Sequence, residues 1–219
     1  MSIHNQCRDC QARTLEPLPP RDLNMSSIYL VRHGITPANK ENRFAGRTGE
    51  ELDLEGIEQV RQVGERLQDK KIGAVYCGPA KRTLQSAEII GSRLNIPVTV
   101  LPELDEIYIP HWDGLTKDEI RQQYGAQYPT WLSAPQNFYL PGCETLAQVQ
   151  MRAVEAVNHL SAASRQQDVL IVSHLIVLRC LVLYFKGFAL NDFRSIKIDN
   201  GYILQVSEGD MGGMSVRCL

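Results

Sequence analysis

No stretch of this 219-residue sequence approaches the roughly 18 consecutive apolar residues of a membrane span. The most apolar run, Leu175 to Phe185, is broken by Arg179 and reads as a buried helix, so no membrane partner is expected. Charge of one sign is missing too. With 23 basic against 25 acidic residues, the formal net is -2, which argues against nucleic-acid binding through a broad basic surface. The N-terminus has Arg8, Arg13 and Arg21 among acids and prolines but no apolar core of a secretory signal. Cysteine is sparse and scattered, at positions 7, 10, 77, 143, 180 and 218. Cys7-Arg-Asp-Cys10 has the spacing of half a zinc site, but no second pair follows it. No GxxxxGK[ST] loop occurs, which argues against a P-loop nucleotide hydrolase. These absences point to a reduced, cytoplasmic protein with neither metal nor cofactor.

At 43% hydrophobic residues the chain can fill one domain. Residues 1–25 are polar and proline-bearing and read as a tail. Met25, directly after them, is an alternative start, and residues 26–219 form the expected single domain. From there two patterns alternate. Short β-branched runs at Ile28-Val31, Ala74-Tyr76, Val98-Leu101, Val169-Val172 and Tyr202-Val206 have strand length. Between them, Ile57, Val60, Val63 and Leu67 keep one helical face after Asp53, a helix N-cap. Leu84, Ala87, Ile90 and Leu94 do the same, and Leu146 to Leu160 follows Thr145-Leu-Ala-Gln148, which has capping-box form. Thr116-Lys-Asp-Glu119 has that form as well. The alternation predicts an α/β three-layer sandwich, a mostly parallel central sheet with helices on both faces.

In such sheets ligands collect beyond the carboxyl ends of the strands. Arg32-His33-Gly34 lies just past the first strand, Ser173-His174 just past Val169-Val172, and Gly78 to Arg82 past a third exit. Two arginines and two histidines at one point would make a pocket for a dianion, since the guanidinium fork suits phosphate oxygens. A neutral imidazole among those cations can attack phosphorus and form a covalent intermediate that water resolves. A carboxylic acid is then needed to protonate the leaving oxygen, and Glu103-Leu-Asp-Glu106 offers candidates, with Asp105 and Glu106 competing. Arg179, on an apolar helix, reads as an internal ion-pair partner. His111 reads as an exposed loop residue.

These residues resemble the histidine phosphatase superfamily with its phosphoglycerate-mutase-like fold. Leu30-Val-Arg-His-Gly-Ile-Thr36 is similar to the LVRHGxT signature, and the resemblance implies that His33 is the phosphorylated nucleophile and Arg32 a phosphate ligand. Thr36 and Asn39 are then polar residues lining the pocket. Tyr76 to Ala87 resembles the YSSPLxRAxQTA block, which makes Arg82 the second pocket arginine. Leu104 to Gly114 resembles LxExxFGxWEG, which selects Glu106 as acid and base. Val172-Ser-His174 resembles VSH, implying that His174 is the second pocket histidine, and Pro141-Gly-Cys-Glu-Thr145 resembles PGGES. Leu175 stands where the family usually has Gly. It is expected among the substrate-contacting residues, crowding the pocket floor or re-aiming the neighbouring amide. Ile109-Pro110 replaces Phe-Gly.

The resemblance implies a metal-independent phosphatase acting on a small phosphate monoester, as a monomer or homodimer. Mutase-type transfer is the alternative, but the ExxYG segment and the paired arginines of mutases are missing between Ile107 and Glu144. A non-catalytic phosphate-ligand binding protein on the same fold is the third reading. The aromatics of that loop, Trp112, Tyr124, Tyr128, Trp131, Phe138 and Tyr139, are expected partly to wall a pocket and partly to cap the core.

Overall fold

The computed structural model describes residues 27–163, 167–209 and 213–219. The expectations for residues 1–25, the Cys7–Cys10 pair among them, lie outside the described residues. Ile28–Arg32 forms strand β1, and its alternating side chains go to opposite faces of the sheet. Ile28 and Leu30 join one core cluster, while Tyr29 and Val31 join the other. A strand buried on both faces belongs inside a sheet, and β1 is there. With β2 (Ile72–Cys77), β3 (Val98–Val100), β4 (Asp168–Ser173), β5 (Ile203–Glu208) and β6 (Met214–Cys218), the order is β3-β2-β4-β1-β5-β6. The pairings β3-β2, β2-β4 and β4-β1 are parallel, whereas β5 runs antiparallel to both β1 and β6. The sheet is thus mixed, with a parallel half around β4. The edge strands are β3 and β6.

Seven helices are described. Pro37–Lys40 is α1, a single turn. Leu54–Leu67 (α2) starts at Asp53, whose Oδ1 accepts from the Gly56 amide at 2.7 Å. This is the expected N-cap, satisfying one of the orphan amides of the first turn. Lys81–Leu94 (α3) ends on Asn95 in the left-handed conformation. Together α2 and α3 cover one face with Val60, Val63, Leu67, Ala87 and Ile90.

The other face is covered by Leu146–Ala163 (α6) and Leu175–Lys186 (α7), with the short helices α4 (Lys117–Gln123) and α5 (Tyr128–Ser133) beside them. Thr116 and Glu119 close a capping box on α4, and Thr145 with Gln148 does so on α6. The three layers match the architecture expected from the alternating pattern. Trp112, Tyr128, Trp131 and Phe138 are buried in this second core, with Trp112 and Phe138 ring centroids 4.9 Å apart. Tyr139 is 69% exposed. The aromatic segment therefore serves mainly as core. No helix among the described residues is long and apolar enough to cross a membrane.

Candidate active site

Parallel pairing places the carboxyl ends of β1 and β4 side by side, with Arg32 opposite Ser173 in the register. The His33 amide donates to the Ser173 carbonyl at 3.1 Å, so the two histidines leave the sheet together. Their rings lie 5.3 Å apart, edge to face. Both are buried. The backbone after His33 is compressed, because a Cβ on Gly34 would meet the Gly56 carbonyl and Val60, and a Cβ on Gly56 would meet Ile35. Two glycines thus let the start of α2 press against the loop that carries His33.

The hydrogen bonds fix the tautomer of each ring. The Gly34 carbonyl can only accept, so His33 Nδ1, 2.8 Å away, carries the hydrogen. His33 Nε2 is left with a lone pair, which accepts from Arg82 Nε at 3.3 Å. Arg82 Nη2 can only donate, so His174 Nδ1, at 3.0 Å, accepts, and His174 Nε2 carries its proton. Burial and the charges of Arg82 and Arg32 push His33 well below its usual range. His174 moves the same way through burial and Arg82. Both imidazoles are neutral near pH 7.

Arg82, expected to be the second pocket arginine, is 1% exposed. Its Nη2 also donates to the Gly46 carbonyl at 2.6 Å. Gly46 has φ +51, and a Cβ there would run into Asp113. Arg32 donates from Nη1 to the Ile198 carbonyl at 2.9 Å, and burial pulls its pKa down to about 10. Three buried nitrogens here have no hydrogen-bond partner among the described residues: Arg32 Nε, Arg82 Nη1 and His174 Nε2. Buried donors without acceptors are costly. An anion with several acceptor oxygens would satisfy all three.

Glu106 sits in the loop after β3 and is 8% exposed. Burial pushes its carboxyl up, against the pull of the Ile107 amide and of Arg82, Arg152 and Arg32. Its Oε1 accepts from the Ile107 amide at 2.8 Å. Asp105, its competitor, is occupied otherwise. Asp105 Oδ1 accepts from the Glu106 amide at 2.8 Å, and Oδ2 pairs with Arg47 Nε at 3.3 Å. The Glu106 carbonyl accepts from Arg47 Nε at 2.8 Å and Arg152 Nη2 at 3.2 Å. Glu144 ties these two arginines together, at 2.9 Å from Arg47 Nη2 and 2.9 Å from Arg152 Nε. It also accepts from the Tyr108 amide at 2.8 Å.

Thr36 and Asn39, expected to line the pocket, close a capping box on each other at the start of α1. Asn39 Oδ1 also accepts from Asn200 Nδ2, which donates to the His33 carbonyl as well, at 3.0 Å. Leu175 is the first residue of α7, half-buried against the larger core cluster. His111 is exposed, 3.3 Å from Cys143 Sγ. Arg179 departs from expectation. It makes no ion pair among the described residues, because its Nε donates to the Ile196 carbonyl at 2.7 Å and its guanidinium lies over Phe193.

Sequence reasoning passed over Asn200, Ser86, Ser173, Arg47, Arg152 and the role of Glu144. Ser86 Oγ accepts from the Gly34 amide, and Ser173 Oγ donates to the Leu104 carbonyl at 2.7 Å. Ser86, Ser173 and Glu144 fall within motifs already singled out. Asn200 has no signal in the sequence, because a loop asparagine before a strand is commonplace.

An adenosylcobalamin/alpha-ribazole phosphatase of Escherichia coli strain K12 is 26% identical over 174 residues, covering 80% of this chain and 86% of its own. A protein of Erwinia tasmaniensis named as a probable phosphoglycerate mutase, GpmB, is 29% identical over 186 residues, covering 83% and 85%. The solved structure of Bacillus stearothermophilus YhfR superposes with a TM-score of 0.83 at 30% identity, over 88% of this chain and 96% of that one. The model of the histidine phosphatase superfamily, branch 1, matches residues 28–218, a span that starts on β1 and takes in both histidines, both arginines and Glu106. With nearly the whole domain inside that match, the chain belongs to the histidine phosphatase superfamily.

Proposed function

We propose that the protein is a metal-independent phosphatase that hydrolyses a small phosphate monoester through a phosphohistidine intermediate on His33. The observation that carries this reading is the set of three buried donors without a hydrogen-bond partner among the described residues, Arg32 Nε, Arg82 Nη1 and His174 Nε2, around a neutral His33. His174 Nε2 lies 3.8 Å from Asp105 Oδ1, beyond hydrogen-bond reach. Phosphoryl oxygens dock on those donors. The 3.3 Å bond from Arg82 to His33 Nε2 is at the long end for a hydrogen bond, so a phosphoryl oxygen competes well for that guanidinium.

The Nε2 lone pair attacks phosphorus in line, and the P–N bond forms as the P–O bond to the leaving group breaks. Glu106, its carboxyl raised by burial, gives its proton to the leaving oxygen. The resulting carboxylate takes a proton from water, whose oxygen displaces His33 and releases phosphate. The cationic and N–H groups stabilise the charge spread over the phosphoryl oxygens, work that metal ions perform elsewhere. Residues 26–219 act as one catalytic domain. The four cysteines among the described residues are unpaired, which suits a reduced, cytoplasmic setting.

Mutase-type transfer is the second reading, supported by the GpmB relative. It is the weaker one because Arg121 is the sole arginine between Ile107 and Glu144, whereas mutases grip the substrate carboxylate with a pair.

The test is phosphate release with EDTA present, across phosphoserine, 3-phosphoglycerate, sugar phosphates, a nucleotide and p-nitrophenyl phosphate. At least one ester is hydrolysed, the wild type traps labelled phosphate on His33, and His33→Ala abolishes both signals. Loss of activity in EDTA that a divalent metal restores contradicts the scheme. Label passing to a sugar acid in preference to water establishes the mutase.

A further inference from the structure

Cys143 and His111 are chemistry-bearing side chains that the mechanism does not use. Cys143 Sγ lies 3.3 Å from His111 Nδ1, across two loops 32 residues apart. Backbone bonds hold those loops together. The Glu144 amide donates to the Tyr108 carbonyl at 2.8 Å, and the Tyr108 amide donates to Glu144 Oε2 at 2.8 Å. His111 sits on a tight turn, closed by the Trp112 amide on the Ile109 carbonyl at 2.9 Å. Cys143 ends another, its amide bonded to the Leu140 carbonyl at 3.1 Å around Gly142 at φ +76. His111 is exposed and Cys143 half-buried, so the pair is open to solvent. Cys143 fills the second glycine position of the PGGES-like segment, which makes the pair this chain's own.

Burial and the charge of Asp113 push the Cys143 thiol up. The sulfur is therefore protonated near pH 7, which disfavours an oxidation-prone thiolate. A metal displaces that proton on binding. Asp113 then acts the other way, because a carboxylate that opposes a thiolate favours a divalent cation beside it. A tetrahedral zinc with sulfur at ~2.3 Å and nitrogen at ~2.0–2.1 Å holds those two ligand atoms roughly 3.5 Å apart. The observed 3.3 Å is close to that bite. Rotation of the exposed imidazole turns the Nδ1 lone pair from the sulfur to the metal. Among the described residues no group of three or more His, Cys, Asp or Glu could hold a metal ion, so water completes the coordination.

We propose that Cys143 and His111 form a two-ligand site for a thiophilic divalent cation, zinc above all, and that its occupancy inhibits the enzyme. The ion gives up two waters, the thiol gives its proton to solvent, and the Zn–S and Zn–N bonds form. His111 follows Glu106 in one loop, and Cys143 precedes Glu144, which links the arginines on the Glu106 carbonyl. A metal across the pair ties the loop of the acid to that clamp, so Glu106 no longer follows the leaving oxygen. The site stands apart from the phosphatase reading above, and only the inhibition rests on it.

The experiment uses the full chain with Cys7, Cys10 and Cys218 replaced by Ser, which leaves Cys143 and the buried Cys77 and Cys180. Cobalt(II), a spectroscopic stand-in for zinc, is titrated into this parent protein. A thiolate-to-cobalt charge-transfer band is expected in the near ultraviolet, and zinc displaces it. Cys143→Ser abolishes the band. His111→Ala weakens half-saturation by at least about tenfold, since even outer-shell partners of a metal are worth that much. With half the ligands of a structural site, zinc should bind at about 1–100 µM. Zinc in that range lowers alkyl-phosphate turnover and EDTA restores it, whereas Cys143→Ser keeps the metal-free rate throughout. A missing band, or one that either substitution leaves unchanged, overturns the site. Equal zinc inhibition of the parent and Cys143→Ser overturns the inhibitory role. If no ester is hydrolysed, the phosphatase reading falls while the cobalt band still decides the site.

Discussion

His33 and His174 leave adjacent parallel strands joined by the sheet ladder, so their separation is set by backbone pairing that runs through the whole core. Glu106 stands in a loop, with no ladder behind it. It is held by Asp105 on its amide, by two arginines on its carbonyl, and by Glu144, which joins those arginines. The phosphate-facing half of the site is thus rigid because apolar strands are packed on both faces. The acid-bearing half is rigid because charges are paired at its rim. The first arrangement resists change as long as the core is intact, whereas the second can be loosened one side chain at a time.

That contrast can be broken first at the acid itself. Glu106→Gln removes the proton donor but leaves the phosphate donors in place. Turnover of alkyl phosphates should fall roughly 10²–10⁴-fold, the usual worth of general acid catalysis. An activated aryl ester, whose leaving group needs no proton, should lose far less. Equal losses on both esters would move the acid role to Asp105.

A subtler break lies at Glu144. Glu144→Gln keeps the shape but weakens the link between Arg47 and Arg152, so the Glu106 loop should lose its fixed aim. Kinetic assays should show alkyl-phosphate kcat falling by about tenfold, a loss in the range expected when a partner that positions a reacting group is removed. KM should be nearly unchanged, and the aryl ester should be spared. A uniform loss on all esters, with a lowered melting temperature, would make Glu144 a stability residue only.

The smallest effect is on pH dependence, where the two halves have opposite signs. His33 reacts as the neutral ring, and burial beside two arginines lowers its pKa, so its acid limb falls below pH 6.5. Glu106 donates as the neutral acid, and burial raises its pKa, so its alkaline limb lies above 4.5. The kcat/KM profile on one alkyl phosphate should be bell-shaped between these limbs, and Glu106→Gln should erase the alkaline one. Its persistence in that variant would assign the limb to another group.

Much of this was legible in the chain. Short apolar, β-branched runs such as Ile28-Val31 and Val169-Val172 announced strands, and Asp53, Thr116 and Thr145 marked helix starts by their capping chemistry. Placing His33, Arg82 and His174 at strand exits needed only the order of elements. Other features were hidden. The capping box in which Thr36 and Asn39 each accept from the other's amide, and the tie from Asn39 through Asn200 to the His33 carbonyl, show only in the structure. Arg179 read as an ion-pair partner, yet its bonds go to a carbonyl and a ring.

The sequence by itself determined the elements, because hydrophobic period and cap residues act within a few positions of one another. It also determined which side chains stand where strands end. Only the tertiary structure decided the tautomers of the two imidazoles, the carboxyl of Glu106 raised by burial, and the partners of Glu144 and Arg179. Those depend on which carbonyl or charge the fold brings into hydrogen-bond reach, as it brings Arg82 to His174 and Arg47 to Glu144, and on how much water it removes from the site.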